Sequence, residues 1–305
     1  MSVNATTEVI ISTVEKMQND ATHLSSPSSL TKQQAIIVEV LAELEADQLD
    51  LPVLPEVVLK IREILADPDS STGQLVQLLS TDIVISLYLI KAANSAAFCS
   101  GRPVGNLYEA IPRLGMKMLY SMVMNIAITK LFKANSPLIQ QKLAELIERS
   151  RKVATNCYVL AKKKKHLKPE DAMLAGLVNE IGALPLYLYA DRHYPEIDSE
   201  TLGNLITIFS APIGFRLLQN WNFPDELVDV VSAQLELRFK PQSKIADYVD
   251  VVTMAKLQAQ EANESFTWTN VLSAEKLGYY SGDCRNFLAN HKEQFAEVND
   301  LLRTD

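Results

Sequence analysis

One polar pair in an apolar stretch is the first candidate for chemistry in this chain. Asn179 and Glu180 lie within AGLVNEIGALPL, residues 175–186, where every other residue is small or apolar. An amide and a carboxylate are costly to bury unless each has a hydrogen-bonding or charged partner. The pattern therefore predicts a buried helix that carries either a working site or the remnant of one.

The usual catalytic patterns are absent from the sequence. It contains no GxxxxGK[ST], no GxGxxG and no CxxC. No two of its four histidines lie three or four positions apart, as a metal site on one helix would require; they are His23, His166, His193 and His291. His193, between Arg192 and Tyr194, is predicted to be a surface residue. Cys99, in FCSG, is predicted to be a structural thiol.

Composition narrows the class of protein. The chain has 305 residues, 48% hydrophobic and 22% charged, which is typical of soluble globular domains. Its net charge of -8 disfavours general nucleic-acid binding. Three widely spaced cysteines favour a reducing compartment. The start of the sequence lacks the pattern of a secretory leader, and the longest apolar run, 83–98, is interrupted by Lys91 and Asn94. We expect a cytoplasmic protein with no membrane association.

The elements that must position these residues are helices. Hydrophobic periodicity is helical almost throughout, and no convincing alternating strand is present, so the sequence predicts an all-α fold. One helix should have Pro55 in its first turn and end at Asp67. A cap at Ser70 or Ser71 should start the next helix, and Asp82 should cap the one after it. Pro169 should open the helix that carries the Asn-Glu pair. The remaining predicted helices are Thr72–Leu79, 83–98, Leu107–Leu114 (stopped by Gly115), 116–132, 138–165, two led by Pro212 and Pro224, 244–262 and 274–301.

Five motifs carry a family resemblance. In order they are LPVLPEVVLKIREILADPDSS from Leu51, ANSAAF from Ala93, EAIPRLGMKML from Glu109, AGLVNEIG from Ala175 and LLQNWNFPDELVDVV from Leu217. Their order and separations resemble the HDOD domain, a degenerate branch of the HD phosphohydrolase superfamily found in bacterial signalling proteins. Asp82-Ile83 departs from the Asp-Pro common in relatives. The signature positions are Leu51, Pro52, Leu54, Pro55, Asn94, Ser95, Gly115, Gly176, Gly182, Trp221 and Pro224.

The resemblance implies a domain organisation. Residues 51–240 would form the HDOD domain, with an N-terminal helical subdomain (51–135) packed on a degenerate HD-like subdomain (136–240). Residues 1–50 would be a helical extension containing the Ser/Pro linker 23–30, and residues 241–305 would be C-terminal helices. The lysine run 162–165 is expected at a helix C-terminus, facing solvent.

The resemblance also answers the question of the polar pair. Related HD hydrolases carry a metal-binding His-Asp pair where this chain has Asn179 and Glu180. By hand alignment the other ligand positions fall at or beside Arg149, Ser210 and Gln234. Arginine cannot deprotonate to bind a metal, and serine and glutamine are weak ligands for a transition metal. Only Glu180 of this set is a good ligand, so the resemblance implies a lost metal site and no cofactor.

Helical geometry suggests what Glu180 does. At about 100° per residue, Asn179 and Glu180 fall opposite the apolar face of Leu174, Leu177 and Ile181, on a side of small residues that also permits burial. We expect Arg149 or Arg151, on the preceding helix, to pair with Glu180. The alternative is that Glu180 reaches solvent.

Other signature residues are interpreted as architecture. Asn94 is expected to share a face with Ile83, Leu87 and Ile90 and to hydrogen-bond a neighbouring loop. Leu51-Pro52 and Leu54-Pro55 either fix the approach of the following helix or form a ridge for a partner, and architecture is favoured. Trp221 and Phe223 should anchor a helix start in the core.

The favoured function is a non-catalytic signalling or regulatory module that binds a protein partner or a small ligand in the relic pocket. The alternative is a metal-dependent phosphohydrolase in which Glu180 and carboxylates such as Asp171, Asp191 or Asp247 converge. A nucleotide-binding module without catalysis would instead show a pocket lined by Arg149, Arg151 or Lys152.

Overall fold

All the regular secondary structure that the computed structural model describes is helical. It describes residues 32–46, 48–98, 101–232, 245–259, 271–279 and 290–303. The all-α prediction is confirmed. The helices are α1 (Lys32–Glu45), α2 (Glu56–Ala66), α3 (Thr72–Leu79), α4 (Ile83–Ala93), α5 (Leu107–Leu114), α6 (Met116–Leu131), α7 (Pro137–Ala161), α8 (Pro169–Val178), α9 (Ala183–His193), α10 (Ser199–Asn220), α11 (Asp225–Ser232), α12 (Tyr248–Ala259), α13 (Leu272–Lys276) and α14 (Lys292–Leu302).

The chain forms two compact units, each built from separate stretches of sequence. Of the described residues, those within 1–52, 132–144 and 180–239 form the first unit, and those within 53–131, 145–179 and 240–305 form the second. The predicted domain boundaries follow the linear sequence, and they stay a prediction.

In the first unit α10 packs against α9, α11 and α1. Phe209 and Leu217 of α10 are fully buried, and Trp221 and Phe223 just beyond it are 3% and 7% exposed. The Trp221 indole donates a hydrogen bond to the carbonyl of Pro52 at 2.8 Å. This confirms that Trp221 and Phe223 anchor the start of α11 in the core, and it ties the first proline of the LPVLP motif to that core.

In the second unit α6 is the central helix, packing against α2, α5 and α8. Met118, Met122 and Met124 are 0–1% exposed, as expected of core-filling methionines, whereas Met116 is half-buried. Unbranched methionine side chains adapt to irregular gaps between several helices at once.

Several predicted helix ends are confirmed by their caps. The Asp82 carboxylate accepts the backbone N–H groups of Val84 and Ile85 at 2.9 and 3.1 Å. Ser71 and Gln74 form a capping box at the start of α3. Gly115 ends α5 with a φ of 78°, which glycine adopts without steric cost. α2 ends before Asp67 as predicted, and Pro55 lies one residue before its first turn.

Other predicted ends are wrong. α4 stops at Ala93 instead of residue 98, because Asn94 turns its side chain to another backbone segment. α7 stops at Ala161, before the lysine run. Pro212 does not lead a helix but lies buried inside α10, where side chains on both sides of it pack in the core. The predicted 274–301 helix is broken after Lys276 by Gly278, with a φ of 74°.

Two stretches are long and apolar enough to cross a membrane by length and composition alone, Pro169–His193 and Ser199–Asn220. In the most apolar 18-residue window of each stretch, 89% and 56% of the residues are buried within the protein, as expected of core helices. Both stretches are longer than 83–98, the apolar run that the sequence singles out.

Candidate functional site

The Asn-Glu pair lies in a turn and not within a helix. α8 ends at Val178, residues 179–182 form the turn, and α9 starts at Ala183. The prediction that the pair lies within a helix is therefore wrong. Asn179 is fully buried, as expected, whereas Glu180 is half-buried.

One cause of the break is local. Pro185 has no N–H, so inside a continuous helix it would remove a hydrogen bond and clash with the preceding turn. A new helix starting at Ala183 places Pro185 in the first turn, where N–H groups lack partners anyway. The Asn179 side chain donates to the carbonyl of Gly176 at 2.7 Å, satisfying one carbonyl at the end of α8. Pro185 is the sequence signal that identifies the break.

Signature glycines on each side of the turn allow close backbone approach. In the second unit, a Cβ on Gly176 would lie 2.5 Å from the Cα of Ala154 on α7 and 3.1 Å from Cys157 Sγ. In the first unit, a Cβ on Gly182 would lie 1.9 Å from the carbonyl oxygen of Ser210 on α10. These two positions therefore exclude any side chain, which accounts for glycine in the AGLVNEIG motif.

Two of the other positions predicted for the lost metal site lie among the described residues. Arg149 is exposed on α7, in the second unit, and Ser210 is half-buried on α10, in the first. Gln234 lies outside the described residues. The buried Cys157 is the nearest thiol in sequence to the α8 motif, and burial raises its pKa, so the sulfur stays protonated and a poor nucleophile. The pairing of Glu180 with Arg149 or Arg151 stays a prediction.

The carboxylates that a hydrolase would need have other roles. Asp171 pairs with Lys117 at 2.6 Å. Asp191 accepts the backbone N–H groups of Asn135 and Ser136 at 2.8 and 2.7 Å and so caps α7. Asp247 accepts the N–H of Asp250 at 3.0 Å. Over the described ranges, no group of three or more His, Cys, Asp or Glu side chains could hold a metal ion. The donor set therefore does not fit the metal of HD hydrolases.

The would-be nucleotide cations do not line one surface. Arg149 and Lys152 are exposed, whereas Arg151 is 8% exposed. The Arg151 Nε donates to Asn125 Oδ1 at 3.4 Å, and one of its terminal nitrogens lies 3.5 Å from Thr129 Oγ1. Sequence reasoning missed this buried contact with α6, since nothing in the spacing links residues 125 and 151.

Sequence reasoning also missed a cavity in the first unit. It measures about 280 Å³ and lies beside the loop between α9 and α10. The His193 ring, exposed at the end of α9 as predicted for a surface residue, stacks on Tyr189 at a centroid distance of 4.3 Å. Tyr189 donates to Glu43 at 2.9 Å. The lining residues are Ile36, His193, Tyr194, Pro195, Glu196, Ile197, Asp198 and Thr201.

Asn94 confirms one expectation and corrects its reason. Its side-chain amide donates to the Val104 carbonyl at 2.8 Å and its oxygen accepts the Val104 N–H at 2.7 Å, so it binds a neighbouring loop as expected. It does not share an inward face with Ile83 and Leu87, which are 71% and 60% exposed. Asn94 lies past the end of α4, where helical spacing no longer sets its direction.

The comparisons with known proteins agree with this architecture. A family model described as the HDOD domain matches residues 51–237. The chain belongs to the HDOD domain family. This match starts at the LPVLP motif and ends just after α11, so it spans all five motifs.

Crystal structures of similar proteins share the fold. A predicted metal-dependent phosphohydrolase from Shewanella amazonensis SB2B is 26% identical with a TM-score of 0.75, over 90% of this chain and 100% of that one. An HDOD domain protein of unknown function from Geobacter sulfurreducens is 21% identical with a TM-score of 0.66, over 87% and 99%. A predicted signal transduction protein from Marinobacter aquaeolei VT8 is 19% identical with a TM-score of 0.58, over 90% and 67%.

A curated relative is longer than this chain. An uncharacterized protein of Treponema pallidum (strain Nichols) is 24% identical over 211 residues, which are 65% of this chain and 40% of that protein. The chain thus spans about two fifths of its length.

Proposed function

We propose that this HDOD chain is a non-catalytic signalling module of the cytoplasm that acts by binding a protein partner or a small ligand. The observation that carries the proposal is the chemistry at the relic site. Where HD hydrolases place a metal-binding pair, Asn179 is fully buried and its amide nitrogen is bound to the Gly176 carbonyl. A metal-activated water needs several histidine or carboxylate ligands around one ion.

The roles of the neighbouring acids support the same proposal. Asp191 caps α7, and Asp171 is paired with Lys117, so each already stabilises the fold. Recruiting either one to a metal would leave a helix end or a lysine without its partner. The likeness to a predicted metal-dependent phosphohydrolase at 26% identity keeps hydrolysis as the competing function.

Metal content and hydrolysis, measured on one preparation, test the proposal. The untagged chain is purified without chelators and its metals are quantified by plasma mass spectrometry. It is then assayed with Mn²⁺ and bis(p-nitrophenyl) phosphate. We expect far less than stoichiometric transition metal and no turnover above buffer. Near-stoichiometric manganese, iron, nickel or zinc, with turnover lost in Glu180→Gln and kept in the exposed control Glu200→Gln, would overturn the proposal.

A further inference from the structure

A buried polar cluster in the second unit binds the end of α14. The Asn125 side-chain amide, on α6, donates to the carbonyl of Leu302 at 2.7 Å. The Tyr88 hydroxyl, on α4, donates to the carbonyl of Leu301. Leu301 and Leu302 are the last two residues of α14. Side-chain donors from two other helices thus take the place of the missing next turn.

The cluster has the electrostatic character that a helix C-terminus requires. The last carbonyls of a helix lack partners within it, and together they carry a partial negative charge. Here the carbonyls of Leu301 and Leu302 accept hydrogen bonds from Tyr88 and Asn125. The Arg151 Nε donates to the Asn125 side-chain oxygen at 3.4 Å. A cation on the amide oxygen polarises the amide and strengthens its donation to Leu302. Burial raises the pKa of Tyr88, so its hydroxyl keeps the proton that it donates.

α14 is held mainly by its last turn. Val298, Leu301 and Leu302 are 4%, 3% and 0% exposed. Earlier in the helix, Lys292, Glu293, Gln294 and Ala296 are exposed. A helix that buries only one turn opens locally with less loss of contact than a core helix such as α6. The donors lie inside the family-matched residues 51–237, and α14 lies outside them.

We propose that Tyr88, Asn125 and Arg151 form a helix-end socket, that α14 fills it reversibly, and that the socket is a docking site for a partner helix ending in two adjacent leucines. The seated α14 defines the occupant, because the socket binds the terminal carbonyls of two adjacent leucines whose side chains are buried. A carbonyl in mid-helix is already bound to its own helix, so the socket selects a helix end. The inference does not depend on whether the relic site has lost its metal.

A peptide that competes with α14 tests the socket. α14 is released in the 305-residue chain by Leu301→Asp with Leu302→Asp, and a fluorescein-labelled peptide of residues 290–305 is titrated by fluorescence anisotropy. We expect saturable binding to the released chain and at least tenfold weaker binding to the wild type, whose socket is filled. Adding Asn125→Leu to the released chain, or both aspartates to the peptide, should weaken binding at least tenfold.

Two results would contradict the socket. One is a released chain that keeps its helical circular dichroism and cooperative melting but fails to bind the peptide. The other is equal binding of the native and double-aspartate peptides. If the released chain does not fold, hydrogen–deuterium exchange of the wild type decides. Exchange at α14 at least a hundredfold faster than at α6 supports reversible seating, and equal protection of the two helices overturns it.

Discussion

At the scale of single residues, the fold depends most on positions where no other side chain fits or where a charge is buried. Gly182 faces backbone atoms on α10 at a distance that excludes even a methyl group. Asp250 and Lys276 are a buried ion pair at 2.8 Å, with side chains 8% and 6% exposed. Hydrophobic periodicity predicts neither the close contact at Gly182 nor the ion pair, because glycine has no side chain and Asp250 and Lys276 are polar.

Gly182→Ala should destabilise the chain strongly. The new methyl group would lie 1.9 Å from the Ser210 carbonyl oxygen and 2.3 Å from the Gly214 nitrogen, and backbone cannot yield as a side chain tip does. Overpacking usually destabilises a protein by about 1–3 kcal/mol. Because the new methyl group would meet backbone atoms, we expect this substitution to lie at or above the upper end of that range. The matched control is Gly203→Ala, because a Cβ at position 203 would have no atom within 4 Å. Since alanine is favoured over glycine inside a helix, this control should raise the free energy of unfolding by roughly 0.5–1 kcal/mol. Urea unfolding of both variants checks the pair, and equal midpoints would contradict the close contact.

Asp250→Ala should destabilise the chain because it leaves the Lys276 ammonium buried without its counter-charge. Asp250 also accepts the Ser273 hydroxyl at 2.8 Å, so a half-buried hydroxyl loses its partner as well. Breaking a buried pair costs about 3–5 kcal/mol, whereas replacing both partners by apolar residues is often neutral. The melting temperature should therefore fall strongly in Asp250→Ala. It should recover much of that fall in the double variant Asp250→Leu with Lys276→Met. The exposed pair Glu56–Lys60, at 2.6 Å, supplies the control, and Glu56→Ala should change the melting temperature little. A double variant no more stable than Asp250→Ala would refute this account.

At the scale of elements, the sequence predicted the helices well where local chemistry alone sets their ends. Asp82, Ser71 and Gly115 act within one turn of their own position, and all three end or start a helix as expected. Predictions failed where distant packing decides. Pro212 is tolerated inside α10 because Phe209 and Ile213 on either side are fully buried. The turn at Asn179 depends on Pro185 together with close contacts at Gly176 and Gly182. The hydrophobic periodicity of the sequence does not reveal these contacts.

The sequence predicted which residue types occupy the candidate site, but not the directions of their side chains. The prediction that good metal ligands are lost rests on residue types alone, since asparagine, arginine and serine stand at three hand-aligned positions. That Asn179 binds the carbonyl of Gly176 depends on where α8 ends, and that Arg151 turns toward α6 depends on a contact with Asn125, 26 residues away in sequence.

The cap of α4 should make stability depend on pH. The hydrogen bond from Lys130, at 2.9 Å, is the main cause that lowers the Asp82 pKa, with the capped N–H groups contributing. A carboxylate with a lowered folded-state pKa stabilises the fold above its unfolded pKa of about 3.9. That contribution is lost as the pH falls through the folded-state value.

Asp82→Ala should therefore cost about 1 kcal/mol at pH 7. The difference in the free energy of unfolding between this variant and the wild type should shrink below about pH 4, where the wild-type carboxylate becomes protonated. Asp82→Asn keeps an acceptor for the cap without a titrating group, so it should cost less at neutral pH. Urea unfolding between pH 3 and 7 measures all three proteins; a deficit of Asp82→Ala that is the same at every pH would show that the charge contributes nothing.

At the scale of the whole molecule, an acidic chain carries one dense run of positive charge. The net charge is -8, yet residues 162–165 are four lysines in succession. They follow the last residue of α7, and Lys162, Lys163 and Lys165 are exposed. Cations at this position complement the negative end of the helix dipole, which gives the run a role in the fold without any polyanionic partner.

The chain should therefore fail to bind duplex DNA. Non-specific binders reach dissociation constants of about 10⁻⁴ to 10⁻⁶ M at physiological salt, with an affinity that falls steeply as salt rises. Fluorescence anisotropy with a labelled random-sequence duplex, at low and at physiological salt, should give no saturable binding at either. The matched variant replaces Lys162, Lys163 and Lys165 by glutamine and should behave identically toward DNA, while melting slightly earlier because the dipole loses its counter-charge. Saturable binding that the three substitutions abolish would instead assign the lysine run to a polyanion, and it would show that the local field outweighs the net charge of the molecule.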